Sequence, residues 1–139
     1  MLIVAVAGGV ATIAKHFSSD VTSLPFPPAA AVSSQAAKTG IASYYGLHPK
    51  REHLNPDTAM NIPFCPHLLE AAMWDIPLGS VVEVTNIANG RKVWVRITDR
   101  GPARRLGRLI DLTAYAFSQI ASLRRGLIKV RVRVVYEKR

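Results

Sequence analysis

Two stretches of this chain alternate apolar and polar residues with a period of two, the pattern of a strand with one buried face. In Lys92–Thr98, Val93, Val95 and Ile97 fall on one side, with Trp94 and Arg96 on the other. In Leu127–Tyr136, Val130, Val132, Val134 and Tyr136 oppose Lys129, Arg131 and Arg133. Ile41–Tyr45 and Val81–Thr85 are shorter runs rich in β-branched and aromatic residues and also read as strands. On the first of them, Ile41, Ser43 and Tyr45 share one face, and Ala42 and Tyr44 share the other. Leu109–Leu112 reads as a short buried strand interrupted by Asp111.

The connections carry their own signals. Asn89-Gly90 predicts a hairpin between the Val81 and Lys92 strands, because both residue types tolerate positive φ. Pro77-Leu78-Gly79 is a turn, and Asp99–Gly101 leave their strand in a turn fixed by Pro102. Thr113 is placed to cap a helix over Ala114–Ala121. Residues 46–69, punctuated by Pro49, Pro56, Pro63 and Pro66, read as one long loop, and a loop of that length in a compact domain is usually functional or mobile. Several strands and one short helix predict a small β-barrel rather than a βαβ fold.

Ahead of this domain the pattern changes. Residues 1–14, MLIVAVAGGVATIA, are apolar and uncharged, with Lys15 following. That is shorter than the roughly 20 residues of a membrane span but has the length of a signal-peptide core. Residues 1–17 are therefore expected to act as an export signal or a membrane tether, directing the protein to the periplasm or cell envelope. No cysteine follows the run, so lipid modification is not expected. Residues 18–39 are rich in Ser, Pro and Ala and read as a flexible linker, with the folded domain over 40–139.

Charge narrows the partners without choosing one. The chain has 139 residues and a formal net charge of +9. Nearly all of that excess lies in residues 40–139, and a basic domain favours polyanions such as nucleic acid, anionic lipid or cell-wall polymer. No nucleic-acid-binding signature accompanies the charge, so nucleic acid is not the expected partner. Cys65 is the only cysteine, which rules out an intrachain disulfide. His48, His53 and His67 are scattered through the Pro-rich loop without metal-ligand spacing, so neither a metal nor an organic cofactor is expected.

The densest chemistry lies in RITDRGPARRLGRLIDLT, residues 96–113, with five arginines and two aspartates. Asp99, at the end of an alternating run, reads either as a turn carboxylate accepting backbone N–H groups or as a catalytic acid with arginines holding an anionic substrate beside it. Asp111, between Ile110 and Leu112, reads as a satisfied structural carboxylate.

Four segments in order, GIASYYG (40–46), TAMNIPF (58–64), AAMWDIPLGSVVEVTNIANGR (71–91) and ITDRGPARRLGRLIDLT (97–113), resemble the RlpA-like family of double-psi β-barrel proteins. The similarity spans roughly residues 40–136, and the SYYG strand is more distantly similar to the barrel domain of expansins. The resemblance implies a mainly β fold, a six-stranded double-psi β-barrel with one or two short helices and a shallow glycan groove. It implies a peptidoglycan lytic transglycosylase, which cleaves the MurNAc–GlcNAc β-1,4 bond to a 1,6-anhydro product during cell-wall remodelling or septation. Peptidoglycan glycan strands are the expected partner, with cell-division or cell-wall proteins beside them.

The resemblance also distributes roles. Asp99 of DRGP is the expected catalytic residue, and Ser43, Tyr45, Thr58 and Arg100 the expected substrate-binding residues. Most glycosidases need two carboxyl groups. Here the sugar's own 6-hydroxyl is the nucleophile, so one residue both protonates the leaving oxygen and accepts the hydroxyl proton. Such an acid needs Arg96 and Arg100 turned away from its carboxylate. Tyr45 reads equally as a sugar-stacking ring or a core tyrosine. Two departures matter. Met73 stands where active relatives have a histidine that assists the aspartate, and Met60-Asn61-Ile62 replaces a polar-Gly-Glu run. Met73 transfers no protons, which keeps alive an alternative reading as a catalytically weak or inactive peptidoglycan-binding barrel. If the transglycosylase reading holds in weakened form, Met73→His is expected to raise activity, and His67 is a candidate substitute imidazole.

Overall fold

The computed structural model describes residues 35–48 and 56–139. The expected signal or tether, most of the linker and residues 49–55 of the long loop lie outside the described residues.

Six strands close into a barrel in the order β1-β5-β2-β4-β3-β6. They are β1 Lys38–Tyr45, β2 Glu70–Ala72, β3 Val81–Asn86, β4 Lys92–Asp99, β5 Ile110–Thr113 and β6 Ile128–Tyr136, with helix α1 Ala114–Ile120 between the last two. The pairs β1–β5 and β2–β4 run parallel and the other four are antiparallel. Closure leaves no free sheet edge. Alternation does the rest: Val82, Val84, Val95, Ile97, Ile110, Leu112 and Val130 fill the interior, and Phe117 and Ile120 of α1 pack onto it. Thr113 caps α1 as expected, accepting the Ala116 N–H at 3.3 Å.

Three details differ from the sequence reading. β1 starts at Lys38 rather than Ile41, because Lys38 and Thr39 pair with Val132 and Arg131 of β6. The β3–β4 hairpin is wider than a two-residue turn. It closes with the Asn86 N–H donating to Arg91 O and the Gly90 N–H to Asn86 O, each at 2.8 Å, and only Gly90 of the Asn-Gly pair takes positive φ, at 72°. Strand β2 was not expected at all. Its three residues are too few to show alternation, and all three are buried.

β2 decides what lies beside Asp99. It sits between β5 and β4, pairing Ala71 with Leu112 and Ala72 with Asp111 on one side. On the other it pairs Glu70 with Arg96 and Ala71 with Ile97, then shifts register so that Ala72 faces Asp99 rather than Thr98. This irregularity re-aims the end of β4. With Ser43 opposite Asp111 in β1–β5, it draws a row across four strands: Ser43, Asp111, Ala72, Asp99.

Candidate active site

Asp99 ends β4 where the segment 57–63 folds against the barrel. That segment is a tight loop closed by a bridge between Asp57 and Pro63. Inside it, the Thr58 N–H and hydroxyl both donate to Ile62 O, at 2.9 and 3.2 Å. Asn61 takes φ 56°, so the turn survives without a glycine there, as Asn permits. The loop is pinned to β4 by the Met60 N–H donating to Thr98 O at 3.1 Å.

Its next contact reaches the carboxylate. The Ala59 N–H donates to Asp99 Oδ1 at 3.0 Å, and the Arg100 N–H donates to the same oxygen at 2.8 Å. Asp99 thus accepts backbone N–H groups at a turn, as one reading of its sequence position expects, and it lies half-buried on the barrel surface. No side-chain cation bonds to it among the described residues.

The Arg100 guanidinium is turned elsewhere. Its Nη1 donates to Met73 O at 2.7 Å, Ile76 O at 2.7 Å and Trp74 O at 3.2 Å. It clamps the 73–76 turn onto the segment that carries Asp99, and the Met73 N–H donates to Asp99 O from the same turn at 3.1 Å. Beside the clamp, Trp74 stays 42% exposed. Its indole N–H donates to Pro102 O at 2.6 Å, and the Arg104 guanidinium lies over the ring at 5.0 Å.

Two of the other expected substrate contacts, Thr58 and Ser43, make hydrogen bonds within the protein. Thr58 is buried and braces the loop. Ser43 Oγ donates to Gly126 O at 2.9 Å, tying β1 to the turn before β6. Tyr45 lies between the two readings given for it. Phe64 stacks against its ring at 5.2 Å, and its hydroxyl is buried with no hydrogen-bond partner. Burial, then the charges of Asp99, Glu70 and Asp111, raise the Tyr45 pKa, so the phenol keeps its proton.

Asp111 is the structural carboxylate expected, gripped by Arg108 through Nε at 2.9 Å and Nη2 at 2.8 Å. Burial still raises its pKa, with Arg108 pulling the other way. The Met73 side chain is 1% exposed and packs in the barrel core. His67 lines a separate cleft of about 360 Å³ with Leu47 and Tyr115, and Asp99 is not among its lining residues.

The sequence reading missed Glu70. It is 5% exposed, and the buried Thr98 hydroxyl lies near enough to act on its carboxyl. Burial raises the Glu70 pKa; Thr98 and Arg96 oppose the shift and Asp99 adds to it. The available signal was a lone acid inside the apolar run LLEAAM.

A family model described as lytic transglycolase matches residues 37–132. The chain belongs to that family. Among relatives, it is 42% identical over 103 residues to the endolytic peptidoglycan transglycosylase RlpA of Pasteurella multocida, covering 74% of this chain and 33% of the relative. It is 37% identical over 112 residues to the protein of that name from Campylobacter jejuni, covering 79% and 38%. A probable endolytic peptidoglycan transglycosylase RlpA of Nostoc is 37% identical over 121 residues, covering 87% and 31%. The chain therefore spans about a third of the length of these relatives. The fold recurs in the Streptomyces papain inhibitor SPI, with TM-score 0.57, 24% identity and coverage of 75% of this chain and 98% of that one. It recurs also in a Clavibacter michiganensis expansin solved with cellohexaose, with TM-score 0.55, 18% identity and coverage of 75% and 52%. This family member has the six-stranded double-psi barrel that its motifs implied.

Proposed function

We propose that this barrel is a lytic transglycosylase of bacterial peptidoglycan, cleaving the MurNAc–GlcNAc β-1,4 bond with Asp99 as its acid and base. The observation that carries the reading is the Asp99 carboxylate itself. It is held at one oxygen by two backbone N–H groups, and neither Arg96 nor Arg100 pairs with it. The names of the relatives support the substrate.

In this mechanism Asp99 protonates the glycosidic oxygen as the C1–O bond breaks. The sugar's own C6 hydroxyl then attacks C1, and Asp99 takes the proton released, closing the 1,6-anhydro ring. One carboxyl suffices at the reacting atoms because no water enters. The half-exposed Trp74 ring offers an apolar platform for a sugar beside the site. The basic excess attracts the anionic wall polymer. We place the protein in the periplasm or cell envelope on the strength of the apolar run at residues 1–14.

The alternative, a glycan-binding barrel without activity, is favoured by one observation, the burial of Met73 where active relatives have histidine. Digestion of peptide-free glycan strands by the whole chain, read by mass spectrometry with Asp99→Asn alongside, separates the two. Anhydro-sugar products that disappear in the variant are expected. Co-sedimentation with the glycan and no product from the wild type overturns the enzyme reading in favour of the binding one.

A further inference from the structure

Part of the basic excess collects at the end of the barrel remote from Asp99, where the proposed chemistry does not use it. β4 carries the chain from Lys92, beside the β3–β4 hairpin, to Asp99, a run of roughly 20 Å. At the hairpin end a cleft of about 470 Å³ opens between the hairpin, the 121–127 turn and the start of β6. Its volume falls within the roughly 300–1,000 Å³ of small-molecule sites. Hydrogen bonds fix its walls. Asn86 and Asn89 each donate from Nδ2 to Ile120 O at 2.9 Å, holding the hairpin to the end of α1. The Ile87 N–H donates to Lys129 O at 3.1 Å, and the Leu127 N–H donates to Arg125 O at 2.6 Å.

Arg91, Arg125 and Lys129 line this cleft, and no acidic side chain does. Among the described residues the ion pairs engage Lys38, Lys92, Arg108 and Arg133, and none of these three cations. Like charges around one concavity repel one another, and a bound anion relieves that repulsion. A lone exposed cation or a lone exposed apolar side chain is ordinary. Here the two coincide. Leu127, which also lines the cleft, is 56% exposed, more than any other large hydrophobic side chain among the described residues, and Ile87 of the hairpin is 42% exposed. Cations beside exposed aliphatic side chains match a lipid phosphate and the acyl carbons beneath it. A sugar ring or a nucleic-acid base is met by an aromatic face, and no aromatic residue lines the cleft.

We infer that this cleft docks the barrel on an anionic lipid surface, with Arg91, Arg125 and Lys129 around a headgroup phosphate and Leu127 and Ile87 entering the interface. Bound this way, the barrel carries Asp99 at its far end, off the lipid. The site stands independently of the reading of Asp99, and its test needs no turnover.

The test is co-sedimentation of the whole chain with phosphatidylcholine vesicles and with mixed phosphatidylcholine–phosphatidylglycerol vesicles, the apolar run at residues 1–14 being common to every variant. A triple variant, Arg91→Gln with Arg125→Gln and Lys129→Gln, removes the cleft charge. A second, Arg105→Gln with Lys138→Gln and Arg139→Gln, removes as much charge outside the cleft. Each Lys or Arg near an anionic leaflet contributes roughly 5-fold in affinity, so the cleft triple is expected to lose on the order of 100-fold on the mixed vesicles. The second triple is expected to lose far less, and both are expected to bind pure phosphatidylcholine as the wild type does. Leu127→Ser is expected to weaken binding to the mixed vesicles and to leave binding of inorganic phosphate unchanged. Equal losses in the two triples overturn the proposal in favour of diffuse charge. Vesicle binding unmoved by Leu127→Ser, or inorganic phosphate bound without vesicle binding, overturns it in favour of a site for a soluble anion. Loss of purified glycan strands by the cleft triple, with vesicle binding unchanged, overturns it in favour of the wall polymer. A further arm needs no substitution: short-chain phosphatidylglycerol added to the wild-type chain is expected to shift amide resonances over residues 86–91 and 121–129, and shifts centred on Asp99 instead overturn the placement.

Discussion

Arg100 separates two roles that its place in the DRGP motif does not. As a substrate contact it would leave stability untouched when replaced. As the clamp described above, its loss frees three backbone carbonyls in the 73–76 turn. The magnitude follows from the geometry. Nη1 carries two hydrogens, so the bonds at 2.7 Å to Met73 O and Ile76 O are full ones and the contact at 3.2 Å to Trp74 O is shared. A hydrogen bond to a charged group contributes ~1.5–3 kcal/mol. Two such bonds, discounted because Arg100 is partly exposed and water reaches freed carbonyls, give ~2–3 kcal/mol for Arg100→Met. For a domain of this size each kcal/mol moves Tm by roughly 4–8 °C. The expected fall is therefore about 8–24 °C, read by circular dichroism on the whole chain. Arg100→Lys keeps the charge but not the planar fork and should recover only part of the loss. An unchanged Tm in Arg100→Met, with glycan binding weakened, would refute the clamp and restore Arg100 to the substrate.

Two further predictions follow from burial and charge. Met73→His places an imidazole among apolar core side chains, where an unpartnered polar group costs ~1–3 kcal/mol, so chemical denaturation should show a less stable protein; equal or greater stability would mean the side chain faces the groove after all. Glu83 is expected to stabilise the barrel at neutral pH and to stop doing so in acid. Burial works to raise its pKa, but its bonds to Arg133 and Lys92 outweigh that and hold it below its ordinary 4.5. This stability is present above pH 4.5 and is lost as pH falls through the lowered folded value. Glu70 and Asp111, both raised, act with the opposite sign, favouring the fold at low pH and losing that advantage as pH rises through their folded values. A Glu83→Gln variant should flatten the acid side of the Tm profile, and an acid limb as steep as that of the wild type would contradict this account.

The strands that alternate, the Asn-Gly hairpin, the Thr113 cap, the Asp99 turn and the structural Asp111 were all legible along the chain. Each depends on residues near one another in sequence, where periodicity and turn chemistry act directly. The resemblance of four ordered motifs added closure into a double-psi barrel, which periodicity alone does not specify.

Tertiary structure decided the rest. Lys38 belongs to β1 only because Val132 lies opposite, and β2 exists only because β4 and β5 leave a place between them. The register shift at Ala72 aligns it with Asp99, and nothing local to either segment announces it. Arg100 reads as a substrate contact until its guanidinium meets the carbonyls of the 73–76 turn. Glu70 reads as a charge stranded among apolar residues until burial removes its water and brings it within the field of Arg96 and Asp99. A local pattern selects which face of a strand is apolar. Which polar groups meet on the other face depends on strand order and register, and these are settled by contacts between residues far apart in the chain.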